Sequence, residues 1–273
     1  MYDIFVAIIL GIVEGITEFL PISSTGHLIL AERALGFKDV EEMFTVVIQL
    51  GAIAAVIWYY RLDLIHKTAG LFKRQAEAIH FWKILALGTI PAAIIGLSLE
   101  NSLDKVANPF VIALALIIGG IILWIVDHRP VTAAQSNQDE IDFSGMSIKQ
   151  TLLIGLGQSV AIIPGVSRSG ATIVSGLLTG LNRKTATAYS FYLSIPILVM
   201  ASALKLFKHG DQLSAISGGS LSIIVGLVAS FITALLSITW LLRYISRHNF
   251  LPFAYYRIAL GTLILILIAL GIL

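Results

Sequence analysis

The chain contains no cysteine, and only 12% of its 273 residues are charged. The first absence excludes disulfides, thiolate catalysis and zinc–thiolate sites. The second sets the chain apart from soluble globular domains, in which about 25% of residues are charged. A basic stripe with interleaved aromatics is also missing, and the net charge is only +2, so nucleic acid is not an expected partner. The amino terminus lacks a basic region, and Glu14 and Glu18 would interrupt any apolar signal core, so a cleaved signal peptide is not expected. What the chain has in abundance is apolar sequence: 57% of residues are hydrophobic and the mean hydropathy is +0.92. At about 20 residues per crossing, this length accommodates roughly six to eight membrane segments.

Two polar clusters interrupt that apolar sequence. The first is Glu14-Gly15-Ile16-Thr17-Glu18-Phe19-Leu20-Pro21-Ile22-Ser23-Ser24-Thr25-Gly26-His27, and the second is Pro164-Gly165-Val166-Ser167-Arg168-Ser169-Gly170-Ala171-Thr172. At an offset of 144 positions, Gly11 and Glu14 fall on Gly155 and Gln158, while Ser23, Thr25 and Gly26 fall on Ser167, Ser169 and Gly170. The chain therefore reads as two related halves, 1–130 and 148–273, joined by a polar linker at 131–147. Three runs in each half are expected to span: 43–60, 81–99 and 109–127, then 189–207, 220–242 and 252–272. The cluster-bearing segments, 3–36 and 148–181, break at proline into arms too short to cross comfortably, which predicts re-entrant helical hairpins with tips near the midplane. An odd number of spans per half inverts the second half relative to the first. The expected fold is thus an all-α integral membrane protein with six transmembrane helices and two re-entrant hairpins in an inverted-topology repeat, its site lying where the interrupted segments meet.

Loop charge orients this arrangement. One side collects Arg61, Lys67, Lys73, Arg74, Lys83, Arg129, Lys149, Arg183, Lys184, Arg243 and Arg247, and the other only Arg33, Lys38, Lys105, Lys205 and Lys208. The richer side is expected to be cytoplasmic, which places both termini outside. Trp58, Tyr59, Tyr60, Trp82, Trp124 and Trp240 lie near span ends, where interfacial anchors sit.

Ionisable groups are costly inside a bilayer and mark function by default. Glu14 and Glu18 are spaced i, i+4, so a helix presents both carboxylates on one face. Such a pair shares a proton or recruits a hard cation such as Mg²⁺ or Ca²⁺; as a structural alternative it is neutralised by Arg168. Ser23, Ser24, Thr25 and Gly26 offer hydroxyls and free amides at a helix start, which is an anion site or simply a cap. His27, one turn further on, suits a general base, a nucleophile or a proton donor. Arg168, flanked by Ser167 and Ser169 with Thr172 beyond, can grip phosphate oxygens bidentately. Gln49 and Gln158 can hydrogen-bond phosphate or metal-bound water, or simply another helix. Together these groups can hold a phosphoryl group, neutralise it and deliver a nucleophile, for which Ser24 with His27 as base is favoured; attack by His27 or by activated water stays open.

Glu14-x-x-x-Glu18, Pro21-x-Ser23-Ser24-Thr25-Gly26-His27 and Pro164-Gly165-x-Ser167-Arg168-Ser169-x-x-Thr172 resemble the bacterial undecaprenyl-diphosphate phosphatase family linked to bacitracin resistance. The resemblance spans essentially the whole chain. It implies a multi-pass enzyme of the bacterial inner membrane that removes one phosphate from undecaprenyl diphosphate and recycles the lipid carrier for peptidoglycan synthesis. It further implies a divalent cation and a site near the outer face. A phosphatidic-acid phosphatase is disfavoured, since the His and Lys its signatures require are replaced by Val174 and Ile122. The competing class is a transporter or flippase for a phosphorylated polyprenyl lipid, which the inverted repeat also suits. Small-residue faces are compatible with a homodimer, and membrane lipids are the remaining expected partners.

Overall fold

Polar residues set just ahead of apolar runs start several of the helices. Asn108 accepts a hydrogen bond from the Val111 amide with Pro109 at the first helical position, Ser147 and Gln150 form a reciprocal capping box, and Asn182 accepts from the Thr185 amide. The computed structural model describes residues 1–39, 42–103, 108–129 and 141–273. Its α-helices are α1 (Tyr2–Thr17), α2 (Ser24–Ala34), α3 (Met43–Tyr59), α4 (Arg61–Phe72), α5 (Ala76–Leu103) and α6 (Pro109–Asp127). They continue as α7 (Ile148–Ser159), α8 (Arg168–Leu178), α9 (Arg183–His209), α10 (Gly219–Ile245) and α11 (Leu251–Ala269). No strand occurs among the described residues. Most of the expected linker, up to position 140, lies outside the described residues.

Among the described residues, five helices are long and apolar enough to cross a membrane, within α5, α6, α10 and α11 and over Arg183–Leu213. A sixth crossing results if α3 and α4, bent by 69° at Tyr60, are counted as one broken span. The chain is therefore an all-α, multi-pass membrane protein. α5, α9 and α10 run to 28, 27 and 27 residues, longer than their apolar windows suggested, because polar turns at their ends continue the helix. α4 was not foreseen; Tyr60 ends α3 and redirects the chain.

The apolar surface faces outward. Along α10, Leu221, Ile224, Val228, Ile232 and Leu236 are exposed at helical spacing, while Ser222, Gly226, Ser230 and Ala234 on the opposite face are buried. Where lipid tails are as apolar as leucine, small residues allow backbones to approach, and this drives helix association. Gly11 of α1 crosses α10 so closely that a methyl there would sit 2.3 Å from the Gly226 carbonyl oxygen. Gly155 of α7 crosses α5 in the same way, a methyl falling 2.5 Å from the Gly88 carbonyl oxygen. Each of these short helices thus packs against a long helix from the other part of the chain.

α1, α2, α7 and α8 are 16, 11, 12 and 11 residues long. At 1.5 Å per residue even the longest covers roughly 24 Å, short of the about 30 Å hydrocarbon core. α1 packs on α2 and α7 on α8; the first pair is joined by a non-helical break, the second by a 3-10 turn over Val160–Ile162 followed by irregular backbone. At one end of the bundle, Asp127 closes α6 by accepting from the Arg183 Nε (2.7 Å) and the Phe250 amide (2.6 Å), tying together the starts of α9 and α11.

Candidate active site

The two breaks share an unusual backbone conformation. Ser23 and Ser167, 144 positions apart, take φ of 72° and 70° with ψ of 104° and 112°. A non-glycine residue there costs on the order of 1–3 kcal/mol, so the surrounding structure must hold it. Each serine then caps the following helix: Ser23 Oγ accepts from the Gly26 amide at 3.4 Å, and Ser167 Oγ from the Gly170 amide at 3.1 Å. The capping places Ser24 at the first residue of α2 and Arg168 at the first residue of α8.

The breaks meet. Arg168 Nη2 donates to Glu18 Oε1 at 2.8 Å, and Ser169 Oγ donates to the Leu20 carbonyl at 2.7 Å. The Arg168–Glu18 pair is nearly dry, with side-chain exposures of 11% and 5%. Arg168 Nη1 donates to the Ser190 carbonyl at 2.9 Å, and the guanidinium lies 5.8 Å from the centre of the Phe19 ring. Glu18 Oε2 accepts from Ser24 Oγ at 2.8 Å. One carboxylate thus receives the cation of one break and the hydroxyl of the other.

Glu14, one turn before Glu18, is 1% exposed, and among the described residues neither of its carboxylate oxygens has a hydrogen-bond partner. The charges acting on it are those of Glu18 and Arg168. Gln158 stands at the corresponding place on α7, also buried, with both amide atoms unpaired. Arg168 Nε is buried and unpaired as well. Buried polar atoms normally find partners, so the unpaired atoms of Glu14 and Arg168, each acting on the other's charge, mark room for something polar. An anion suits the free N–H of Arg168, and a hard cation suits the free oxygens of Glu14.

His27 departs from expectation. Its Nδ1 lies 2.7 Å from the Ser23 carbonyl oxygen, which only accepts, so Nδ1 carries the proton. Nε2 is then the acceptor for the Tyr256 hydroxyl at 2.7 Å, and the two rings stack. Both ring nitrogens are engaged and neither bonds Ser24, whose hydroxyl turns to Glu18 instead. The expected Ser24–His27 pairing is therefore replaced by Ser24–Glu18, since the α2 start directs Ser24 back across the break. Ser169 and Thr172, expected at the substrate, are 0% and 1% exposed. Thr172 Oγ1 donates to the carbonyls of Arg168 (2.9 Å) and Ser169 (3.0 Å) and contacts the Ser190 hydroxyl. Ser167 Oγ is 3.1 Å from Ser169 Oγ. These side chains stitch the second break to its neighbours. Thr25 is exposed beside Ser24, Gly26 presses against Leu116, and Gln49 lies half-buried on α3 outside this network.

Across residues 7–263 the chain matches the family described as Bacitracin resistance protein BacA. The chain belongs to this family. An undecaprenyl-diphosphatase 1 of Chromobacterium violaceum is 46% identical over 265 residues, covering 96% of this chain and 95% of that protein. An undecaprenyl-diphosphatase of Nitrosospira multiformis is 46% identical over 261 residues (95% and 93%), and one of Acinetobacter baumannii is 45% identical over 267 residues (97% and 96%).

In this member of the BacA family three residues of the network are ones the sequence reading passed over: Ser190 on α9, and Tyr256 and Arg257 on α11. A signal was available for Arg257, an ionisable residue inside an apolar span. Tyr256 holds His27 by the ring stack and by a hydrogen bond worth about 1 kcal/mol, and Phe keeps only the stack. Tyr256→Phe is therefore expected to lower turnover by about 5-fold and stability by no more than about 1 kcal/mol; steady-state kinetics beside thermal unfolding would show this.

Proposed function

We propose that this chain is an undecaprenyl-diphosphatase of the bacterial cytoplasmic membrane, hydrolysing undecaprenyl diphosphate to undecaprenyl phosphate and inorganic phosphate. The names of its BacA-family relatives support the substrate, and one observation carries the chemistry. A serine hydroxyl, a carboxylate, a guanidinium with a donor to spare and a carboxylate with bare oxygens lie together where two broken helices meet.

The reaction runs as follows. The terminal phosphoryl group sits at the start of α2, where the Thr25 and Gly26 surroundings and the helix amino terminus favour an anion. Ser24 Oγ attacks phosphorus, and its proton passes along the existing 2.8 Å hydrogen bond to Glu18 Oε2. The bridging P–O bond breaks, and undecaprenyl phosphate leaves. Protonation weakens the grip of Glu18 on Arg168, which frees the guanidinium to follow the charge developing on the phosphoryl oxygens. Glu18 gives its proton to the departing undecaprenyl phosphate. Its carboxylate then takes a proton from the water that attacks the phosphoserine and returns it to Ser24 Oγ as the Oγ–P bond breaks and inorganic phosphate leaves. His27, neutral and held by Tyr256, lies beside this centre as a proton carrier.

A divalent cation, Mg²⁺ or Ca²⁺, fits the donor set: Glu14, with both oxygens free, would hold it, with Glu18 as a shared ligand. When bound it would neutralise the diphosphate. Glu14→Gln is expected to raise the cation concentration needed for half-maximal activity by about 10-fold or more while leaving Ser24 and Arg168 in place. Titration of metal into chelated enzyme measures this, and an unchanged requirement would remove Glu14 from the cation.

The matched backbone of Ser23 and Ser167 and the exchanged packing of α1 on α10 and α7 on α5 support an inverted repeat, with α1–α2 and α7–α8 as re-entrant hairpins. Loop charge supports termini outside, and the resemblance to the undecaprenyl-diphosphate phosphatases supports a site near the outer face. Overproduction in a bacterial host should raise the bacitracin concentration that the host tolerates; unchanged tolerance at verified expression would count against this assignment.

A further inference from the structure

Arg257 is 2% exposed and, among the described residues, has no carboxylate within salt-bridge distance. Its guanidinium donates instead to five carbonyls: Nη1 to Pro21 (3.3 Å), Nη2 to Ala115 (3.2 Å), Gly165 (3.4 Å) and Val166 (2.8 Å), and Nε to Leu116 (3.4 Å). Pro21 belongs to the first break, and Gly165 and Val166 to the second. Backbone that leaves a helix inside a bilayer frees carbonyls that water cannot reach, and they need donors from the protein. One fork of fixed geometry serves both breaks at once, which a lysine, with its compact point charge, does not reproduce. The channel for it is made by glycine: a methyl at Gly119 of α6 would lie 2.1 Å from Nη2, and one at Gly170 would lie 2.8 Å from Nη1.

We propose that Arg257 is a positioning residue that sets the spacing between the two breaks, and so the alignment of Ser24 with Arg168. This rests on the phosphatase reading of that site. Arg257 reaches Arg168 only through the backbone of the second break, and Ser24 only through that of the first. Small errors in its position therefore reach the reacting groups without touching the substrate. A shift of about 1 Å in such a site can cost about 100-fold in rate.

The test uses Gly119→Ala and Arg257→Met in purified full-length protein. Gly119→Ala keeps the charge and improves helix propensity, and the flexible end of Arg257 can move aside, so the fold should survive. Expected is a kcat lowered about 10-fold in Gly119→Ala and about 100-fold in Arg257→Met, with KM within about 3-fold of wild type. Gly119→Ala should add nothing further in the Arg257→Met background, and Arg257→Lys should recover little. The absence of native cysteine allows a readout independent of catalysis: spin labels on Thr25→Cys and Ile163→Cys report the inter-break distance. That distribution should shift or broaden in Gly119→Ala. An unaltered distance and unaltered kcat in Gly119→Ala would overturn the proposal, even if Arg257→Met fails to fold. A protein without phosphatase activity whose inter-break distance still responds would overturn the phosphatase reading and keep the tether.

Discussion

Arg168→Ala is expected to abolish phosphate release, lowering kcat by at least about 1,000-fold, the range seen when a transition-state arginine is removed. Two causes act together. The guanidinium bonds the carboxylate that accepts from Ser24, and in the proposed reaction it supplies the donor that follows charge onto the phosphoryl oxygens. Removal also strands Glu18 in a nearly dry site, which costs about 3–5 kcal/mol of stability for a buried pair broken on one side. Arg168→Lys keeps a counter-ion for Glu18 but loses the guanidinium fork, so it should regain most of the lost stability and little of the activity. Thermal unfolding and turnover measured on both variants separate the two effects. Near-normal turnover in Arg168→Lys would mean that Arg168 acts only as a structural counter-ion.

Ser24→Ala should have an effect of similar or larger size, on the order of 10⁴-fold in kcat, because the attacking atom itself is lost. The change is small in packing terms: Ser24 is half-buried, and among the described residues its hydroxyl bonds only Glu18. Stability should therefore change by less than about 1 kcal/mol. Acid quenching of wild type during turnover should yield phosphoserine at position 24, and the label should be absent from Ser24→Ala. His27→Ala should keep the labelled serine and fall by a smaller factor. Phosphohistidine at position 27, or turnover retained in Ser24→Ala, would move the nucleophile to His27 or to water.

Much of the fold can be read from the sequence because a membrane restricts the choices. Apolar windows, the Asn108 and Ser147 caps and the proline-serine breaks mark where helices run and stop. The 69° bend at Tyr60 was not legible, since no proline or glycine stands there to announce it. At the site, the residue types at both breaks were legible, and so was the pairing of Arg168 with a carboxylate of the first break, but the partner of Ser24 was not. Whether Ser24 faces His27 or Glu18 depends on how the positive-φ Ser23 turns the chain, and one dihedral angle redirects every side chain beyond it. Ser169 and Thr172 belong to the same motif as Arg168, yet the first turn of α8 rotates them inward onto Leu20 and Ser190. Arg257 lay in plain view within an apolar run. Its partners are backbone carbonyls, which carry no residue identity, so no sequence pattern could name them.

A second class of activity uses the same geometry: a carrier for a phosphorylated polyprenyl lipid would also place two broken helices around an anion. Binding alone does not require a hydroxyl poised on a carboxylate. The most direct measurement is incubation of purified protein in detergent with undecaprenyl diphosphate, with inorganic phosphate and undecaprenyl phosphate both quantified. Equimolar release of the two products, lost on chelation and restored by Mg²⁺ or Ca²⁺, is the predicted result. Saturable binding of the intact diphosphate with no phosphate released, whatever the metal, would contradict it.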